Sequence, residues 1–178
     1  MGGGMNEVVD IELMQKKVTA LQDALLEMPQ AEIITTHNFL PGLYERTIHI
    51  PPWTVLTGAA HKTDYHVRVD KGTIAVNTED GVKVVTGPCD FPAKAGMQRA
   101  GRVFEYEVVW TDIYQNPDNC TDIAVLEDRL YVVPECGLGE NRQLALKNEK
   151  PKITGFLGTF DMPQPATNDA EVKLLVEN

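Results

Sequence analysis

His61 and Tyr65 make the best case for acid-base chemistry in this 178-residue chain, pairing an imidazole base with a phenol acid a few positions apart. Catalysis would need both groups to face one substrate within hydrogen-bonding reach, with Arg99 or Lys94 holding an anionic ligand. The same residues have a plainer use, because a His and a Tyr at the mouth of a fold commonly satisfy each other or a backbone group. A metal is the second chemistry to weigh, and its candidate ligands are His61 and Asp64. Iron, manganese or zinc asks for about three or more His, Cys or carboxylate groups converging from one side. His66 does not complete such a set. Strand alternation puts Tyr65, Val67 and Val69 on one face and His66, Arg68 and Asp70 on the other, and the apolar set belongs inside. Asp64 precedes that strand and could bend inward. The expectation is no bound metal and no cofactor.

Those side chains must be positioned by the segment 31–133, where short alternating or β-branched runs are broken by turn residues in the manner of a small all-β domain. The pattern predicts strands at 32–35, 44–50, 55–57, 65–69, 73–78, 82–86, 103–113 and 123–126. Glu79-Asp80-Gly81 is the clearest hairpin, since Asp-Gly tolerates the positive backbone angles of a tight primed turn. Pro41-Gly42, Pro51-Pro52 and Gly87-Pro88 punctuate the rest. Trp53 and Trp110 read as core or interface aromatics, with Trp110 sharing a strand face with Phe104, Tyr106 and Val108. His37 and His49 have no companions at ligand spacing and read as turn or surface residues.

Residues 1–30 read differently. Ile11, Met14, Val18, Leu21, Leu25 and Met28 recur at intervals of three and four, which lines them along one seam of an amphipathic helix that Pro29 ends. A helix of this length is marginal alone, so it must bury the seam on its own domain or on other copies of the chain. Residues 134–178 carry Pro151, Pro163 and Pro165 and weak periodicity, which predicts an extended arm with a short helix near 141–148. Val172, Leu174, Leu175 and Val176 give it something apolar to dock.

The charge balance narrows the partners. With 16 Lys and Arg against 26 Asp and Glu, the net charge of -10 opposes attraction to nucleic acid or anionic membrane. No apolar run approaches the roughly 18 residues of a membrane span. Asn6 stands where an N-terminal acylation signal carries Ser or Thr. Cys89, Cys120 and Cys136 show no Cys-x-x-Cys spacing, so reduced thiols are expected in a soluble protein made in the cytosol.

The stretch Gly58-Ala59-Ala60-His61-Lys62-Thr63-Asp64-Tyr65, continuing to Gly72-Thr73-Ile74, resembles the first motif of the cupins, which are jelly-roll barrels. The resemblance implies that Gly72 closes the motif, with Ala59 and His61 at the two His positions and Tyr65 at the Glu. Lys94-Ala95-Gly96-Met97-Gln98-Arg99 is similar to the second motif, with Arg99 at its final His. Guanidinium offers no lone pair to a metal. More narrowly, Leu56-Thr57-Gly58, His61-Lys62-Thr63, Gly72, Thr78-Glu79-Asp80-Gly81-Val82-Lys83, Arg99-Ala100-Gly101 and Val109-Trp110-Thr111 resemble a family of small cupin-like proteins of tailed bacteriophages and prophages. That likeness covers roughly residues 31–115 and is a string of short matches.

The resemblance implies a mostly β fold, a cupin-like jelly-roll barrel, to which the residue pattern adds an N-terminal amphipathic helix and an extended C-terminal arm. It implies a phage origin and a place in the virion. A ligand set largely replaced, a heptad helix in front and an arm behind suit a non-enzymatic virion protein, a head-decoration, tail or neck component. It would be made in the host cytoplasm and assemble as a homo-oligomer, through the seam Ile11, Met14, Val18, Leu21, Leu25 and Met28, with other phage structural proteins. The alternative is a metal-free cupin enzyme, such as a sugar epimerase using His61 and Tyr65, or a cupin that binds a small molecule or carbohydrate with Arg99 and Lys94.

Overall fold

The computed structural model describes residues 11–28, 30–78, 80–132 and 157–159. In chain order the elements are α1 (Ile11–Leu26), β1 (Ile34–Leu40), β2 (Leu43–Ile50), β3 (Thr54–Thr57), β4 (Ala60–His61), β5 (Tyr65–Lys71), β6 (Thr73–Thr78), β7 (Gly81–Thr86), β8 (Cys89–Ala93), β9 (Ala100–Val103), β10 (Val108–Gln115), α2 (Ile123–Leu130), β11 (Tyr131–Val132) and β12 (Leu157–Thr159). One five-stranded sheet has the order β1-β2-β10-β5-β8 and another β12-β3-β9-β6-β7, and β11 pairs with β4 in a separate two-stranded sheet. Within them β2 pairs with β10, β3 with β9, β5 with β8 and β6 with β7. This nesting is what remains when a long hairpin is wrapped around a barrel, so the strand order itself defines a jelly roll.

Burial follows the sequence pattern closely on β5, where Tyr65, Val67 and Val69 are inside and His66 and Arg68 lie nearer solvent. Every residue of β3 is buried. Its strand packs against α1, whose Val18 and Leu25 are 1% and 0% exposed. Met14, Leu21 and Met28 are half-buried, and Gln22 rather than a seam residue takes the remaining inward position. Gln98 Nε2 donates to Gln22 Oε1 at 3.3 Å, and Gln15 Nε2 donates to the Gly96 carbonyl. The seam at Val18 and Leu25 is therefore buried on the chain's own barrel.

Several elements depart from expectation for visible reasons. The strand expected over 103–113 is β9 and β10, which belong to different sheets. The chain crosses between them at 104–107 and leaves Tyr106 72% exposed, not on a shared face with Trp110. The strand expected over 123–126 is the start of α2, because Asp122 caps it by accepting from Ala124 N at 3.0 Å and Val125 N at 3.2 Å. β1 begins at Ile34 and runs on to the Pro41-Gly42 turn, where Gly42 has φ +74°. β8, which carries Pro92, is a sheet edge, the place where a strand tolerates a missing N–H. Of the C-terminal arm only β12 is described, as a strand on β3. The expected helix at 141–148, the apolar residues 172–176 and the N-terminal residues 1–10 lie outside the described residues.

Gly72 alone separates β5 from β6. Its φ is +85°, and a Cβ there would overlap the Glu107 carbonyl and approach Val108 Cγ2 to 2.7 Å. Gly81 also has positive φ, +99°, but open space around it. Gly72→Ala is expected to destabilise the fold by about 3 kcal/mol or more, and Gly81→Ala by about 1 to 2 kcal/mol from backbone strain alone. Urea denaturation of the two variants measures both, and equal losses would show that the contact with β10 does not matter.

Candidate functional site

The barrel holds a cavity of about 80 Å³, partly open to solvent, enough for several waters or a ligand of a few heavy atoms. Its polar lining comes from β2 (Arg46), β4 (His61), β5 (Tyr65), the approach to β9 (Arg99), β10 (Asp112) and β11 (Tyr131). Register explains the convergence. Asp112 lies directly across from Arg46 on β2 and from Val67 on β5, and Tyr114 lies across from Tyr44. His61 is fixed by its pairing with Tyr131 and by its carbonyl, which accepts from Gly96 N at 2.7 Å.

A connected polar network fills one side of the cavity. Asp112 accepts from Trp110 Nε1 at 2.8 Å and from the Tyr114 hydroxyl at 3.2 Å. With its one proton given to Asp112, the Tyr114 oxygen accepts from the Tyr131 hydroxyl at 3.0 Å and meets His61 Nδ1 at 3.4 Å. Arg99 donates from Nε to the Tyr65 oxygen at 3.1 Å and from Nη1 to the Asn77 carbonyl at 2.7 Å. The rings of His61 and Tyr65 are stacked with centroids 3.9 Å apart.

Burial sets the charge state of this network. Desolvation raises the Asp112 carboxyl above its ordinary value, against the bonds from Trp110 and Tyr114 and the attraction of Arg46 and Arg99. Desolvation, followed by the field of Asp112, holds the Tyr114 phenol well above its usual range and raises Tyr65 as well, with Arg99 opposing at Tyr65. Both phenols stay protonated near neutral pH. Neither is an anion of the network: Tyr114 donates to Asp112, and the neutral Tyr65 oxygen accepts from Arg99.

Of the residues expected in the site, His61, Tyr65 and Arg99 line the cavity and Asp64 and Lys94 do not. Asp64 stays at the rim, accepting from Ala95 N at 2.8 Å and from Lys94 Nζ at 3.1 Å, so neither residue is a ligand of the interior. The backbone bond from Ala95, then Lys94, lowers the Asp64 carboxyl below its usual value. His66 bonds Asp90 at 2.7 Å on the outer surface. His37, expected in a turn or on the surface, sits in β1 with Nδ1 2.8 Å from the Tyr44 hydroxyl. The interior carboxylate is Asp112 and the second interior cation is Arg46, neither of which the sequence reading singled out. Continuing the alternation Val108, Trp110 downstream to Asp112 and Tyr114 would have exposed the first, and Tyr44, Arg46, Ile48, Ile50 the second.

A metal of the kind many cupins hold does not fit these residues. Ala59, His61, Tyr65 and Arg99 stand at the positions the resemblance assigns to ligands. Among the described residues no three His, Cys, Asp or Glu side chains converge on a common point.

No protein-family model matches the sequence, and no curated protein sequence matches it. Solved structures with a similar fold include a cupin domain from Bordetella pertussis Tohama I, 18% identical, with a TM-score of 0.39 over 50% of this chain and 98% of that one. An RmlC-like cupin from Shewanella frigidimarina is 17% identical, with a TM-score of 0.40 over 52% and 81%. An HTH_3 family transcriptional regulator from Vibrio cholerae is 11% identical, with a TM-score of 0.42 over 53% of this chain, which spans only 59% of that protein. Likeness at this level says nothing of activity. The cupin-like jelly roll stands on the strand order and inward faces described above.

Tyr114 joins Asp112, Tyr131 and His61, so Tyr114→Phe leaves a buried carboxylate with one donor fewer. It is expected to cost about 1 to 3 kcal/mol, whereas Tyr106→Phe at the exposed crossing should stay within about 0.5 kcal/mol. Chemical denaturation of both variants at neutral pH checks the contrast, and a neutral Tyr114→Phe would show that the network adds nothing to stability.

Proposed function

We propose that this chain is a non-enzymatic structural protein, a virion component of a tailed bacteriophage or prophage that decorates the head or belongs to the tail or neck, and that it works as a homo-oligomer. The observation that carries the non-enzymatic part is the stack of His61 on Tyr65, with centroids 3.9 Å apart. An acid and a base that act on one substrate must leave it room between them, and these rings face each other instead. The Tyr65 hydroxyl is already engaged by Arg99. The epimerase alternative would need that stack to open. The phage assignment rests on the short sequence matches between residues 31 and 115.

Assembly in this reading uses surfaces left outward by the fold. Leu13 and Leu26 on α1 are 50% and 37% exposed, and Ile34 and Leu40 on the edge strand β1 are 53% and 40% exposed. An edge strand with no Lys, no Pro and no bulge invites a further strand. The net charge of -10 keeps such a surface soluble until a partner is met.

The test is native mass measurement of the full chain, with immunodetection in purified particles of the encoding phage. An oligomer, and a fixed copy number in particles, are expected, and His61→Ala should assemble as the parent does. A monomer at every concentration, or absence from particles, would sink the reading.

A further inference from the structure

The charges lining the cavity do not balance. Arg46 and Arg99 bring two cations, and Asp112 is the single acidic residue among the lining side chains. Asp112 is engaged by Trp110 and Tyr114, one donor on each oxygen. Arg99 directs two of its donors to Tyr65 and Asn77. Arg46 is different. It is half-buried on β2, its Nε is enclosed without a hydrogen-bond partner, and the one carboxylate of the lining, Asp112 across the ladder, divides its attraction between Arg46 and Arg99. A guanidinium withdrawn from water is ordinarily paired, because desolvation without compensation costs several kcal/mol. Much of the remaining lining is apolar, with Ile48, Ile50 and Trp110 on the sheet that carries Arg46 and Leu56 on the other sheet.

We propose that the cavity is a binding site for a small organic monocarboxylate, whose carboxylate is received by the fork of Arg46 beside Arg99 and whose aliphatic part lies on Ile48, Ile50 and Trp110. Three features select this chemistry. One excess positive charge matches a monoanion. The planar fork pairs with a carboxylate through two parallel bonds. A cavity of about 80 Å³ with an apolar wall favours a few carbons over a fully hydrated inorganic ion. The site needs no metal and asks nothing of His61 as a base.

Titration calorimetry of the full chain with butyrate, at constant ionic strength, tests the assignment against butanol and inorganic phosphate. Saturable binding of butyrate is expected, with no heat from butanol and phosphate at least about tenfold weaker. Arg46→Met should weaken butyrate about tenfold or more. Without ligand, the melting temperature of Arg46→Met should equal or exceed the parent's, because the variant removes a desolvated guanidinium whose Nε has no hydrogen-bond partner. Absence of saturable butyrate binding would overturn the proposal, as would phosphate binding at parity or an Arg46→Met variant that binds butyrate undiminished. An Arg46→Met variant that melts well below the parent would also overturn it, by showing that the guanidinium is a structural group.

Discussion

A carboxylate held inside a barrel is the constraint around which this interior is arranged. Asp112 sits on β10, the strand flanked by both β2 and β5, and this central place lets one side chain meet groups from several strands at once. Its own strand supplies Trp110 and Tyr114, the neighbours two residues away on the same face. The Tyr114 oxygen, having given up its proton, becomes the acceptor that ties in Tyr131 from the far side of α2. Ring packing follows from those bonds. Tyr114 lies 5.5 Å from Tyr65 and 5.8 Å from Tyr44, each measured between ring centroids, so the polar link and the aromatic cluster are one structure.

The jelly-roll wrapping makes this possible, because nested pairing joins residues far apart in the chain. Thr47 and Thr111 bond through their hydroxyls at 2.7 Å on the other face of the same pair of strands that carries Arg46 and Asp112 inside. The Thr47–Thr111 bond on one face and the polar residues held inside on the other fix the register, since a slip by one residue would exchange inside for outside. The α1 helix then closes the barrel beside β3. Its docking is directed by polar side chains as much as by apolar ones, with Gln22 meeting Gln98 among the buried groups.

How much of this was legible in the sequence depends on the length over which a signal repeats. The alternation of Tyr65, Val67 and Val69 revealed the inner face of β5, and with it the outward place of His66. The Glu79-Asp80-Gly81 turn marked the β6 and β7 hairpin for the same reason, a local rule with a local cause. Crossings were not legible. Phe104 to Glu107 continues an alternating pattern while the chain changes sheets, and only tertiary pairing distinguishes the two. Ile123 to Leu126 suits a strand by composition, yet the Asp122 cap commits it to a helix. Asp112 escaped notice as the single charged residue of its strand, and Arg46 because it adjoins Glu45 in a pattern that suits a solvated edge. Their meaning lies in the register that sets them face to face. Lys94 and Asp64 misled for the converse reason, Lys94 standing close in sequence to Arg99 and Asp64 to His61 and Tyr65, while the structure joins the two as an ion pair on the rim.

Of the four positions where the resemblance would place metal ligands, Tyr65 on the first motif and Arg99 on the second bond each other at 3.1 Å. A metal in that place would cross-link the strand of the first motif to the strand of the second. The phenol and the guanidinium make the same cross-link with a hydrogen bond, and the Nη1 bond from Arg99 to the Asn77 carbonyl extends it to β6. Ala100 N in turn donates to the Asn77 side chain at 2.6 Å, closing a ring of contacts around the start of β9. Neither substitution is satisfactory alone. An arginine without the phenol would leave a further buried donor unmatched, and a tyrosine without the arginine would lose the donor that offsets its desolvation. The pair therefore acts as one unit, holding the barrel's mouth in shape through side chains alone while leaving Arg46 turned toward the cavity that remains.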